Sequence, residues 1–240
     1  MRILITGNSG AIGSRLWKRL ELYGTDHYIE GHYDLVGIDT KDGVDILTCE
    51  LPKDVDLVYH LAAHASVENS WKDPVREAEN LATTIRLAHA YPGVKIIYAG
   101  TCAGINPESP YGFTKKCAAD YLKIFHPNST ICVFPNIYGT GRSVVDYFKG
   151  KENVIIYGDG EQKRDYVHVD DIVAGLDKAR FWDSGEYFLG GGYVHSVLDL
   201  AEGKTVKFEP ARKEARESII PNTTPNWKPK IDVIKYLNEI

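Results

Sequence analysis

Met1-Arg-Ile-Leu-Ile-Thr-Gly-Asn-Ser-Gly-Ala-Ile-Gly13 opens the chain. Ile3-Leu4-Ile5 is an unbroken apolar run of strand length, Thr6 to Gly10 are turn residues, and Ile12, Leu16 and Leu20 then recur with helical period. The order is strand, tight turn, helix. Gly7, Gly10 and Gly13 fall where such a turn brings backbone amides onto a pyrophosphate. Gly7 makes the turn, Gly10 admits the phosphates and Gly13 lets the helix pack closely. Asp39 ends the next apolar run, where a carboxylate can accept both ribose hydroxyls of an adenosine and repel a 2′-phosphate. The predicted cofactor is therefore NAD rather than NADP.

Outward from this stretch the theme repeats. Leu35-Val36-Gly37-Ile38, Asp56 to His60 and Val94 to Tyr98 are further buried-type runs, separated by helical or turn-rich segments. Predicted helices include Pro74 to Ala90, stopped by Pro92-Gly93, and Tyr111 to Phe125, between Pro110 and Pro127. Apolar strands alternating with helices imply a parallel sheet covered on both faces, so the fold class is α/β, a Rossmann-type doubly wound parallel sheet. Beyond residue 140 the elements shorten, Gly158-Asp159-Gly160 and Gly190-Gly191-Gly192 mark turns, and a last helix is predicted over Ile231 to Leu237. Residues 1–140 are read as the cofactor-binding part. Residues 141–240 are read mostly as a small, trimmed substrate cap with segments returning to the sheet.

Composition bounds the partners. The 240 residues are 43% hydrophobic and 25% charged, an ordinary globular balance. A net charge of −5 without a Lys/Arg block argues against nucleic acid. Cys49, Cys102, Cys117 and Cys132 form no Cys-x-x-Cys pair, which reads as free thiols in a reducing compartment. No apolar run is long enough to span a membrane. The expectation is a cytoplasmic protein.

Three Tyr-x-x-x-Lys spacings occur. Tyr91 to Lys95 is broken by Pro92-Gly93, and Tyr147 to Lys151 crosses Gly150. Tyr111 and Lys115 instead lie in a predicted helix, where an i, i+4 spacing puts both side chains on one face. A phenol is a weak base at neutral pH, so Lys115 and a positive nicotinamide ring are expected to pull its pKa down. Thr101, expected just past the strand ending at Tyr98, is placed to hydrogen-bond the same reacting oxygen. His60 and His64 sit four apart at a strand end without the Glu of a zinc motif, so no metal site is assigned. Asp170 and Asp171 read as acids at a helix start.

With these residues on view, the sequence resembles the extended short-chain dehydrogenases/reductases, in their NAD-dependent sugar-nucleotide epimerase/dehydratase branch, the UDP-glucose 4-epimerases above all. The matching stretches are Thr6 to Gly13, Asp45-Ile46, His60 to Ala63, Asn80, the set Thr101, Tyr111 and Lys115, Asn136 to Gly139, and Gly158 to Asp171. The resemblance implies that Ala11 and Ile12 offer amides to the pyrophosphate. It places Asp45 and Ile46 at the adenine, and Leu61, Ala62, Ala63 and Asn80 along the cofactor. Asn136 and Arg164 match positions that hold the sugar-nucleotide pyrophosphate, and Arg212 resembles a second phosphate-binding arginine. Departures include Ala65 in place of a lysine, Val133 in place of an arginine, and a link of only ten positions from Thr101 to Tyr111.

The implied activity is C4 epimerisation of a nucleoside-diphosphate sugar, of the UDP-glucose/UDP-galactose type, through a transient 4-keto sugar. Cys102 beside Thr101 keeps open a net NAD(P)-dependent reductase or a GDP-fucose-synthase-like epimerase/reductase. A 4,6-dehydratase is a further alternative, although the acid pair such enzymes carry after the catalytic hydroxyl reads Cys102-Ala103 here. A non-catalytic NAD sensor is disfavoured by the presence of Thr101, Tyr111 and Lys115 together. Relatives of this kind pair through two helices, so the resemblance and the apolar content of the helices at 74–90 and 111–125 predict a homodimer.

Overall fold

A computed structural model describes residues 1–23, 33–211 and 217–239. The chain divides into two compact units, residues 1–133 with 173–187 and residues 134–172 with 188–240. The first unit begins with β1 (Arg2–Thr6), α1 (Gly13–Tyr23), β2 (Asp34–Ile38), β3 (Leu57–His60), α2 (Val67–Lys72), α3 (Ala78–Ala90), β4 (Lys95–Thr101), α4 (Pro110–Phe125) and β5 (Ser129–Phe134). The second takes β6 (Asn136–Tyr138), α5 (Val144–Phe148), β7 (Asn153–Tyr157) and β8 (Lys163–His168). Helix α6 (Val169–Ala179) leads back to the first, whose sheet also takes β9 (Gly185–Phe188). β10 (Tyr193–Ser196), β11 (Thr205–Glu209), β12 (Glu217–Ser218) and α7 (Val233–Asn238) complete the second.

The first unit is built on a six-stranded sheet of order β2-β1-β3-β4-β5-β9. β1 pairs in parallel with β2 and β3, and β3 with β4, aligning Thr6 with Ile38 and His60. Ile3, Leu4, Ile5, Val58, Tyr59, Ile96, Ile97 and Tyr98 are all fully buried. Consecutive residues can be buried together only when both faces of the sheet are covered, which explains strands that are apolar without alternation. This is the doubly wound Rossmann arrangement expected from the opening stretch.

Helix α4 has clear local causes. Ser109 Oγ accepts from Gly112 N at 3.1 Å and Pro110 occupies the first turn. At the other end the His126 ring bonds Val94 O at 2.7 Å. The helix expected from Pro74 begins only at Ala78, because Ala78, Glu79 and Asn80 close three-residue turns onto Val75, Arg76 and Glu77. α2, capped by Ser66, lies in a stretch for which no helix was expected. β4 runs on past Tyr98, so Thr101 is its last residue rather than a loop residue beyond it. α7 starts at Val233, after Asp232 caps Ile234 N and Lys235 N.

The second unit holds two small sheets. β8 pairs with β10, β12 and β6, and β7 pairs with β11. Its core joins Tyr138, Phe148, Ile156, Tyr166, Leu200 and Val233. Among the described residues no helix is long and apolar enough to cross a membrane.

Candidate active site

The glycine turn carries the first part of the site. Gly7 has φ +75°, and a Cβ there would lie 2.7 Å from Ala62 N. A Cβ on Gly13 would lie 2.1 Å from Gly7 O. Backbone therefore packs on backbone at both positions, and only glycine permits it. Gly7 N donates to Ile38 O at 2.8 Å and Gly10 N to Gly7 O at 2.9 Å, after which Ser14 N bonds Gly10 O and α1 begins. Ala11 and Ile12 are half-buried in this turn. Asp39 stands immediately past β2. Its Oδ2 accepts from Ser9 N at 3.1 Å and its Oδ1 from Lys41 N at 2.9 Å, fixing the carboxylate beside the turn.

Two further segments border this turn. Leu61 N and Ala62 N bond Thr6 O and Thr6 Oγ1, so 61–63 continues from β3 alongside β1. Asp45 is exposed and caps Leu47 N, while Ile46 is buried. Arg86 of α3 donates to Ile46 O and, at 2.6 Å, to Cys49 O. One guanidinium thus straps 46–49 in place. A glycine cradle at a helix start with a carboxylate after the second strand fits a dinucleotide.

The second part lies on β4 and α4. Tyr111 and Thr101 share a side-chain hydrogen bond, and burial pushes the Tyr111 phenol up to about 12 against that bond. The expected depression of the phenol is therefore not produced by the protein alone, because loss of water opposes the phenolate more than the bond from Thr101 favours it. Lys115 is only 4% exposed, with Nζ 4.1 Å from the centre of the Tyr98 ring. Burial pushes its ammonium down to about 7, and the Glu77 carboxylate works in the opposite direction.

Behind these groups runs a polar network in the buried interior. His60 bonds Thr6 Oγ1 at 2.8 Å and Thr84 Oγ1 at 3.0 Å, and burial holds its ring neutral down to about 3. Asn80 Nδ2 donates to Glu77 Oε2 at 2.9 Å, and Asn80 Oδ1 accepts from His64 N at 2.9 Å. His64 Nε2 lies 2.7 Å from Glu79. These engagements account for both histidines and place Asn80 behind the 61–64 segment.

The family model described as the NAD dependent epimerase/dehydratase family matches residues 3–186. The chain belongs to that family. It is 28% identical to a putative UDP-glucose 4-epimerase of Methanocaldococcus jannaschii, with 99% of this chain and 96% of the relative covered. That alignment runs over 302 positions although this chain has 240 residues, so the shortening is internal. The solved UDP-glucose 4-epimerase of Thermotoga maritima with UDP-glucose is 27% identical, with a TM-score of 0.83 and 99% and 96% of the two chains covered. The UDP-glucuronic acid 4-epimerase of Bacillus cereus, solved with UDP-glucuronic acid and NAD, is 26% identical at a TM-score of 0.84, with the same coverage. NAD is the cofactor of this epimerase/dehydratase family, and the glycine cradle is the feature of this chain that fits it.

In this family member the remaining predicted residues fall in the second unit. Asn136 and Arg164 line one cavity of about 370 Å³, together with Thr140, Arg142, Ser143 and Gln162. Arg164 is 7% exposed and donates to Lys163 O at 2.9 Å, while Asn136 Nδ2 donates to Asp165 O at 3.3 Å. Arg212 lies outside the described residues. The sequence reading missed Arg86, Glu77 and Arg142. Ser143-x-x-Asp146 has capping-box spacing, and that signal marks the turn which carries Arg142.

Proposed function

We propose that this protein is an NAD-dependent 4-epimerase of nucleoside-diphosphate sugars, acting on C4 epimers of the UDP-glucose/UDP-galactose type. The observation that carries the reading is the Tyr111–Thr101 hydrogen bond with Lys115 one helical turn on, in the unit that also contains the glycine cradle. Gly7, Gly10, Gly13, Ala11 and Ile12 would hold the pyrophosphate, Asp39 the adenosine ribose, and Asp45 and Ile46 the adenine. Leu61, Ala62 and Ala63 would line the nicotinamide half, with Asn80 securing their segment. Bound NAD supplies a reversible hydride acceptor and a positive ring.

Tyr111 Oη takes the proton of the C4 hydroxyl and later returns it to the 4-keto sugar. Thr101 Oγ1 keeps that oxygen oriented. Lys115, when protonated, favours the phenolate from the same helix. In the second unit Arg164 and Asn136 would hold the diphosphate, which suits a nearly buried guanidinium. Elimination of water from the 4-keto sugar would need an acid next to Thr101, and Cys102-Ala103 supplies none; Glu108, the nearest acid in that link, is exposed. The family relatives with UDP-sugars bound support the substrate class.

The decisive experiment incubates the protein with UDP-glucose, dTDP-glucose and GDP-mannose and analyses the sugars. Conversion of UDP-glucose to its C4 epimer is expected. A 4-keto-6-deoxy product at turnover rates would overturn this reading in favour of a dehydratase.

The assembly proposed is a homodimer through α3 and α4. Phe113, Ile124 and Phe125 of α4 are 59%, 69% and 65% exposed, and large apolar side chains at that density mark a contact surface. Sedimentation at micromolar concentration should give twice 26.8 kDa, and a species of 26.8 kDa alone would exclude the dimer. Four cysteines without a disulfide among the described residues support a cytoplasmic setting.

A further inference from the structure

The cavity in the second unit is lined by two arginines, Arg142 and Arg164, and, among the described residues, by no carboxylate. Arg164 sits on β8, a regular strand. Arg142 is exposed, in the turn 139–143, where an arginine would ordinarily have no fixed place. Something must hold that turn if Arg142 is to act in the cavity.

Asp146, in the first turn of α5, is built to do so. Its carboxylate accepts from Gly139 N at 2.8 Å, Thr140 N at 3.2 Å, Arg142 N at 3.1 Å and Ser143 N at 3.1 Å. It also accepts from Ser143 Oγ at 2.9 Å, Thr140 Oγ1 at 3.4 Å and Tyr236 Oη at 3.2 Å. Four backbone donors within a five-residue turn, all on one side chain, are far more than a helix cap requires. Burial alone would raise the Asp146 pKa, yet these bonds hold it below the ordinary carboxylate range. The group is therefore anionic whenever the enzyme is folded near neutral pH. Three of the residues it holds, Thr140, Arg142 and Ser143, line the cavity.

We propose that Asp146 is a positioning residue which fixes the 139–143 turn so that Arg142 stands on the cavity wall as a second guanidinium for the substrate's diphosphate. The inference rests on the nucleoside-diphosphate reading of this cavity given above. Two guanidiniums suit a diphosphate, which carries two adjacent anionic groups, and each is worth most when its geometry is fixed beforehand. An unheld Arg142 would have to be ordered by each incoming substrate, at the expense of affinity.

The test titrates UDP into the full chain by calorimetry, using wild type, Arg142→Ala, Asp146→Asn and the double variant, with steady-state KM and kcat for each. Arg142→Ala should weaken UDP about tenfold, the scale of one charge-assisted contact. Asp146→Asn should weaken it by a similar factor, because the amide carries no charge and keeps only one oxygen for donors that now share two, so its NH2 must face either Gly139 N or the other three N–H groups. The double variant should be no weaker than the worse single, and the losses should fall on KM rather than kcat. Asp146→Glu, which keeps the anion, should recover part of the affinity.

UDP binding at wild-type strength by Arg142→Ala, or losses that simply multiply in the double variant, would overturn the inference. Should Asp146→Asn fail to fold, the exposed Arg142→Ala still decides, since the proposal requires its loss of affinity. If wild type itself does not bind UDP, the nucleoside-diphosphate reading falls, and this inference with it; wild-type binding with an unaffected Arg142→Ala removes this inference alone.

Discussion

The two units hold their proposed functional groups by opposite means. In the first, Thr101 ends a strand, Tyr111 and Lys115 sit on a sixteen-residue helix, and the glycine turn joins a strand to a helix. In the second, Arg142 hangs on a turn whose backbone N–H groups converge on one carboxylate. Regular elements fix side chains through many weak contacts and tolerate the loss of one. A turn with four N–H groups on one anion is sensitive to the loss of that anion. The difference also appears in protonation. Burial in the first unit pushes Tyr111 up and Lys115 down, toward their neutral forms, whereas Asp146 is kept charged by the donors around it.

The most severe test of the first unit is Tyr111→Phe. Removing one oxygen should lower kcat by about 10² to 10⁴ while NAD stays bound, since the cradle is untouched. Near-normal turnover would show that the phenol is not the proton carrier. Gly13→Ala comes next, because its methyl would meet Gly7 O at 2.1 Å. Loss of copurifying NAD together with a lower Tm is expected, and a variant that keeps its NAD would show that the turn can yield.

In the second unit Arg164→Ala should raise KM roughly tenfold or more and change kcat less, the pattern of a group that binds without reacting. An unchanged KM would separate the buried arginine from the substrate. The smallest effect concerns stability. The folded protein binds the Lys115 proton only below about pH 7, while the unfolded chain keeps it up to the ordinary lysine value. Stability should therefore rise with pH across that window and be lowest, on this account, below pH 7. Lys115→Met should be inactive yet melt higher than wild type at pH 6, with the advantage shrinking toward pH 9. A pH-independent difference would mean that the ammonium is not desolvated.

How far each region could be read from sequence follows the same division. The glycine turn between β1 and α1 and the placing of Tyr111 and Lys115 on one helix were legible because each is set by spacing within one turn or one helix. Asp39 was legible because a strand end fixes where the next residue points. The network joining His60 to Thr6 and Thr84 was not, since its members come from β1, β3 and α3 and meet only through sheet order. Asp146 reads in sequence as an ordinary acid near a helix start, and only its seven acceptor contacts set it apart. The start of α3 was misplaced because Pro74 is a good helix opener in general, whereas here 75–80 closes into three-residue turns first. Burial, which pushes the Tyr111 phenol up in the protein alone, is what the charge-based expectation left unweighed.

The order of the strands has a consequence for how the protein is made. β9 lies next to β5 in the six-stranded sheet, yet about fifty residues of the second unit and α6 are synthesised between them. Tyr59 and Arg19 likewise find Leu176 O and Asp177 only in the late segment. On the ribosome, the first 133 residues must therefore wait with an open strand edge and two unfilled partners until the chain has left that unit and come back. Such an edge invites pairing with a second nascent copy. For the same reason the two units cannot be exchanged between relatives by a single crossover: each is made of two separate stretches of chain, and any one cut divides one unit or the other.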